Sequence, residues 1–169
     1  MTNRDKFFYV VGSCAFFVIG PCLMLVLNYF FSAPLLPENS FMVYVGYILA
    51  AIGAFFAIWS NVALVRIGKG GAGVIGPIKL MTETTHLVTT GPYALCRNPM
   101  HLGVILFYLG LACVINSLAS LVIPIAMIIF AYVVAVFFDE VRLQRDFPEE
   151  YAAWSSQVPR FIPRINRFK

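Results

Sequence analysis

Between Thr85 and Gly103 the chain reads THLVTTGPYALCRNPMHLG, which sets His86, Tyr93, Arg97, Asn98 and His101 among two X-Pro steps at the mouth of a long apolar stretch. Arg97 carries a permanent charge and a planar fork of donors that matches a carboxylate or phosphate. Pro92 and Pro99 break helix around themselves, and Gly91 permits a close approach or a positive φ. Tyr93 and His101 add aromatic faces with polar tips. Polar groups at the entrance of a hydrophobic segment are costly in a bilayer and mark a site or an ion pair. The apolar stretch ends on a second cluster, Asp139 and Glu140. If the helices between fold as a hairpin, the two carboxylates return to Arg97 and His101. The pocket so formed suits a zwitterion bearing a carboxylate and an ammonium. The plainer alternative is an Arg97–Glu140 salt bridge that locks the hairpin.

Other chemistries find no pattern. Two His with no third ligand at metal spacing give a zinc site little support, so no metal is expected. There is no GxSxG or HExxH, and the four cysteines, Cys14, Cys22, Cys96 and Cys113, form no CxxC. The run Gly68–Gly76, GKGGAGVIG, lacks the Gly-Lys-Ser/Thr of a nucleotide loop and is read as a linker or lid.

The elements that must position these residues are membrane helices. The chain is 60% hydrophobic and only 12% charged, where soluble globules carry about a quarter. Phe7–Phe31, Phe41–Val65 and His101–Phe138 contain no Asp, Glu, Lys or Arg. A span needs about 20 residues. The third run is therefore two spans turning at Asn116-Ser117, and the first of them, Leu102–Ile115, is short. The fold expected is all-α and polytopic, with about four transmembrane helices and a hairpin of the third and fourth. The first segment is too long and lacks the cleavage pattern for a removed signal peptide. Gly12, Gly20 and Pro21 predict a kink in it. Every one of the 12 Lys and Arg residues precedes the first helix, lies between the second and third, or follows the fourth. This bias places both termini in the cytoplasm, at the inner membrane if the source is bacterial. It also accounts for the net charge of +4 without nucleic acid, the bilayer itself being the partner.

After the fourth helix, Leu143, Phe147, Tyr151, Trp154 and Val158 recur at helical spacing and predict an amphipathic C-terminal helix. Asp146 with Glu149 has the form of a capping box, and Pro148 suits a first turn, so a break and restart falls near Phe147. The segment either lies on the cytoplasmic membrane surface or caps the site. One domain results: two helices in 1–65, a Gly-rich linker in 66–84, a catalytic core in 85–163 and a basic tail in 164–169.

These residues resemble the isoprenylcysteine carboxyl methyltransferase and phospholipid methyltransferase superfamily of integral membrane enzymes. The similarity lies in Leu87-Val88-Thr89-Thr90-Gly91-Pro92-Tyr93, Arg97-Asn98-Pro99-Met100-His101-Leu102-Gly103, Asp139-Glu140, Leu143, Phe147-Pro148, Glu150-Tyr151 and Val158-Pro159-Arg160-Phe161-Ile162-Pro163. It implies S-adenosyl-L-methionine as cofactor. His86, Leu87, Val88, Gly91, Tyr93, Arg97, Asn98, Pro99 and His101 would wrap it, and Glu140 would hold its polar end. Arg97 and Glu140 are then the expected catalytic pair, with His86 or Glu140 as base where the acceptor needs one. The acceptor implied is a membrane lipid or small hydrophobic molecule entering from the bilayer. Asn98 stands where the family has His, His101 where it has Tyr, Asp139 where it has Glu and Pro148 where it has Gly. Prenylcysteine members carry an Arg one turn before the acidic pair, where this chain has Ala135 and Val136. Prenyl carboxylate, phospholipid amine, thiol and quinone precursor all stay open. The alternatives are a non-catalytic transport or assembly subunit and a compact NADPH-dependent relative of the sterol reductases.

Overall fold

The first helix begins at a capping box, in which the Thr2 side chain accepts from the Asp5 N–H and the Asp5 carboxylate accepts from the Thr2 N–H. The computed structural model describes residues 2–37, 40–75 and 78–163, so the expected basic tail 164–169 lies outside the described residues. Helix α1 runs Asn3–Phe30, α2 Ser40–Arg66, α3 Pro99–Ile115, α4 Ala119–Asp146 and α5 Pro148–Ser155. Helices α1 and α4, with Phe41–Arg66 of α2, are long and apolar enough to cross a membrane. Large apolar side chains such as Phe30, Phe55 and Ile129 point outward from them, as lipid-facing residues do. Helix α3 has 17 residues, about 25 Å at 1.5 Å per residue, short of a hydrocarbon core of about 30 Å. Against the expectation of about four spans, three helices have full length and a shorter one is packed among them. Between α2 and α3 a two-stranded ladder, β1 Val74–Ile75 against β2 Ile78–Lys79, interrupts the otherwise helical chain.

Helices associate in lipid by close packing rather than by hydrophobic exclusion, so small residues decide where they touch. Gly46, Ala50, Gly53 and Ala57 of α2 face Gly103, Phe107 and Gly110 of α3. A Cβ on Gly53 would lie 2.2 Å from the Phe107 nitrogen, and one on Gly110 2.4 Å from the Ala50 nitrogen. The two backbones are in contact, and nothing larger than hydrogen fits there.

The kink expected in α1 is a π-helical turn over Ala15–Ile19. In the i→i−5 pattern of such a turn, residue 21 would donate to the Phe16 carbonyl, but Pro21 has no N–H. The Tyr108 hydroxyl of α3 donates to that carbonyl instead, at 2.8 Å. Gly20 leaves room for it, since a Cβ there would collide with the Tyr108 hydroxyl. At the other end of α3, Asn116 takes the left-handed conformation that ends the helix (φ 52°). Its Oδ1 accepts from the N–H groups of Leu35 and Leu36 at 3.1 and 2.8 Å, which fastens the α1–α2 loop to the hairpin tip.

Two outcomes follow for the purified protein in detergent. Tyr108→Phe leaves a buried carbonyl without a donor and should cost about 1 kcal/mol, read as a lowered midpoint in thermal unfolding. Gly53→Ala should cost more, about 1–3 kcal/mol, because the helices must part to admit a methyl group.

Candidate active site

The segment between α2 and α3 is where local structure fails and tertiary contacts take over. Gly91 has φ +62°, and Gly91–Ala94 forms one 3-10 turn. Pro99 occupies the first turn of α3, with Asn98 as an N-cap that makes no capping bond. The backbone here leaves polar groups that no helix satisfies, and buried groups of that kind need partners. The C-terminal segment supplies them. Trp154 Nε1 donates to the Tyr93 carbonyl at 3.1 Å. The Arg97 N–H donates to the Pro159 carbonyl at 2.8 Å, and the Asn98 N–H to the Arg160 carbonyl at 3.1 Å. Asn98 Nδ2 donates to that same Arg160 oxygen at 3.1 Å. The apolar face foreseen in the tail packs as one cluster. Tyr151, Trp154 and Val158 are buried with Ala63, Val88 and Tyr93, and Leu143 and Phe147 lie against them. Of the two dispositions open to this tail, the structure has it folded over the helix ends. The break near Phe147 is present, but Phe147 itself is the N-cap and makes no side-chain cap bond, so the expected Asp146–Glu149 capping box does not form. Asp146 pairs instead with the neighbouring Arg145.

Arg97 and Glu140 meet at 3.2 Å, mostly hidden from solvent. Arg160 grips the same carboxylate with two donors, Nε to Oε1 at 2.6 Å and Nη2 to Oε2 at 2.9 Å. That bidentate hydrogen bond holds the guanidinium protonated and raises its pKa. Arg97 Nη1 also donates to the Tyr151 hydroxyl at 3.0 Å. Burial pushes the Tyr151 and Tyr93 phenols up, so both stay neutral donors near neutral pH.

Beside this knot lies a cavity of about 300 Å³. The chain brings His86, Leu87, Val88, Tyr93, Arg97, Asn98 and His101 to its wall. Gly91 and Pro99 are not on the wall; they shape the segment that is. Cys96 is fully buried away from it. Glu140 does not line it either, because its carboxylate is engaged with Arg97 and Arg160, whereas its neighbour Asp139 does. The cause is a second π-helical turn, Val134–Asp139, in α4. Phe130, Ala131 and Val134 face the cavity, and α-helical spacing would next present Phe138. The extra residue of the π turn presents Asp139, five residues on, in its place.

Arg142 is the residue that sequence reasoning passed over, counting it only toward topology. It follows Asp139 by three positions, lines the cavity, and has Nε and Nη1 buried with no hydrogen-bond partner. Arg97 Nε is in the same condition. The Asp139-x-x-Arg142 spacing was the available signal, since it sets both on one helix face. The linker also contributes to the wall, through Gly71, Ala72, Val74 and Thr84. It is held by the Thr85 N–H to Gly68 carbonyl bond at 2.8 Å and by Asp5 of α1, whose Oδ1 accepts from the Thr82 N–H at 2.8 Å.

Fold and site together define a helical integral membrane protein with a charged cavity where its helices end. The chain belongs to the phospholipid methyltransferase family, whose profile matches residues 41–150. It is 32% identical over 131 residues to the protein-S-isoprenylcysteine O-methyltransferase of Rattus norvegicus, covering 72% of this chain and 43% of that protein. It is 27% identical over 118 residues to the nickel-cobalt-cadmium resistance protein NccN of Alcaligenes xylosoxydans xylosoxydans, covering 66% and 55%. To the cobalt-zinc-cadmium resistance protein CzcN of Cupriavidus metallidurans it is 32% identical over 83 residues, covering 49% and 38%. The chain thus spans between 38% and 55% of the length of these relatives.

Burial pushes the Cys96 thiol up to about 11. Its thiolate is therefore scarce at pH 8 and its side chain has no exposed surface, so alkylation by iodoacetamide should run slower than for glutathione by at least about a hundredfold. The rate should climb tenfold per pH unit through pH 10, as followed by mass spectrometry of the Cys96 peptide.

Proposed function

We propose that this protein is an S-adenosylmethionine-dependent membrane methyltransferase acting on an apolar acceptor, with both termini in the cytoplasm. The observation that carries the reading is the set of buried, unpartnered guanidinium donors on Arg97 and Arg142 at one cavity. Such donors call for an anion, and a carboxylate accepts from guanidinium forks in two places at once. Asp139, three residues from Arg142, offers the opposite charge for an ammonium or a ribose hydroxyl. Leu87, Val88 and Tyr93 offer an apolar surface for a purine ring. These residues fit the cofactor's ionic ends and its base without any metal.

When bound, the cofactor supplies an electrophilic methyl group on a sulfonium. The chain's own contribution is alignment, a dry surrounding and charge placement. Arg97 and Arg142 orient the carboxylate. Glu140 is a positioning residue in this reading, holding Arg97 toward the cavity and tying Arg160, hence the tail, across the top. The tail and the linker exclude water. His86, on the same wall, hydrogen-bonds Thr85 through Nδ1 at 2.9 Å and is placed to take up a proton from an acceptor that must lose one.

A second reading takes its support from the two relatives named as resistance proteins: a non-catalytic membrane subunit. The two are separated by titrating the detergent-solubilised chain with S-adenosylmethionine in a calorimeter and following transfer of a radiolabelled methyl group to a membrane lipid extract. The methyltransferase reading expects saturable binding and labelled product; absence of both would sink it. Arg142→Ala should weaken cofactor binding about ten- to a hundredfold, the worth of a hydrogen bond to a charged group, while the unfolding midpoint barely moves. Glu140→Ala should weaken it too, accompanied by faster protease cleavage between α5 and Pro163 as the tail comes free.

A further inference from the structure

A second cavity, of about 500 Å³, adjoins the first. It opens between α1, α2 and the start of α3, and the linker closes it through Leu80 and Met81. The two cavities share Ala72, Met100 and Val104 as walls, so only small or flexible side chains stand between them. Phe8, Phe16, Phe17 and Ile58 make it apolar. Among the described residues no Arg, Lys, His, Asp or Glu lines it. Its polar side chains include Tyr9, Ser13 and Asn61, and the Oδ1 of Asn61 is buried without a hydrogen-bond partner. A buried amide oxygen with no donor is destabilising on its own account, and an incoming O–H or N–H relieves it. An anion finds the reverse: an acceptor facing it, apolar walls, and no cation to offset desolvation.

We propose that this cavity binds the methyl acceptor, and that the acceptor is an apolar molecule with an uncharged O–H or N–H head donating to Asn61 Oδ1. Carboxylates and phosphates, whose charge no cation on this wall offsets, are thereby disfavoured. The assignment as acceptor site rests on the methyltransferase reading; the chemistry of the cavity does not. Gly12 is also on this wall, with nothing within 4 Å of where its Cβ would be, so a side chain there fills the cavity without displacing a neighbour.

The test uses the full chain in lipid nanodiscs and a long-chain alcohol bearing a diazirine, with cross-links mapped by mass spectrometry. Cross-links should concentrate on residues 8–17 and 57–61. Dodecanol should compete at least tenfold better than dodecanoate. Asn61→Leu should weaken competition by dodecanol about tenfold, and Gly12→Phe should abolish the cross-link. Both variants should keep wild-type affinity for S-adenosylmethionine, which shows that they are folded; the comparison of alcohol with carboxylate needs neither. Equal competition by dodecanoate, no effect of Asn61→Leu, or cross-links that no alcohol displaces, as for a groove filled by bilayer acyl chains, would each overturn the proposal. Alcohol binding without S-adenosylmethionine binding would remove the methyltransferase reading and leave the cavity's preference standing. The opposite pattern would do the reverse.

Discussion

A stretch of non-helical backbone at the end of a membrane bundle has to find hydrogen-bond partners, and that requirement organises the rest of this molecule. Pro92 and Pro99 prevent the segment from satisfying itself. The Tyr93 carbonyl and the Arg97 and Asn98 N–H groups are met instead by Trp154, Pro159 and Arg160. A tail that in isolation is only a short amphipathic helix becomes a part of the core. The charge of Arg97 poses the same problem in stronger form; Glu140 answers it, although Arg160 shares that carboxylate, and the Tyr151 hydroxyl accepts a further hydrogen bond. The segment and the tail are therefore joined as one hydrogen-bonded unit.

The bundle beneath serves this arrangement by being rigid. Glycines at matched positions let α2 and α3 touch along their backbones, which fixes the start of α3 and with it His101 and Met100. Two π turns adjust the neighbouring helices. The one in α1 frees a carbonyl that Tyr108 occupies; the one in α4 rotates the helix so that Asp139 and Arg142 look into the cavity. Each turn sacrifices a regular hydrogen bond and gains a side-chain direction that an ideal helix would not have. The result is a pair of adjoining cavities, one lined by charged side chains and the other apolar, with no charged side chain on its wall among the described residues.

Much of this was legible beforehand. The uncharged runs marked the helices because a helix satisfies its whole backbone within one continuous apolar segment, whereas a barrel needs short alternating ones. The turn at Asn116 was visible as the polar break in the longest of those runs. Tail residues Leu143 to Val158 were readable as one apolar face because helical periodicity survives in any context. The Gly-rich linker was legible only as a linker. Its folding against Asp5 and its place in both cavity walls depend on contacts with residues distant in sequence. Arg142 was overlooked for a related reason: a basic residue just past a span reads equally well as topology or as a ligand, and only the surroundings of its guanidinium tell the two apart.

The division between what order and what packing decide is sharpest at Asp139 and Glu140. Composition and periodicity alone established a helical membrane protein with an arginine-bearing, proline-bounded segment and a carboxylate pair at the same end of a hairpin. They did so because bilayer solvation and backbone covalent geometry act residue by residue. Which carboxylate faces the cavity, and which is consumed by two guanidiniums, was settled only by tertiary structure. A single residue of π turn rotates everything after it by about 100°, the angle each residue takes in a helix of 3.6 per turn, and packing against α3, the linker and the tail selects that rotation.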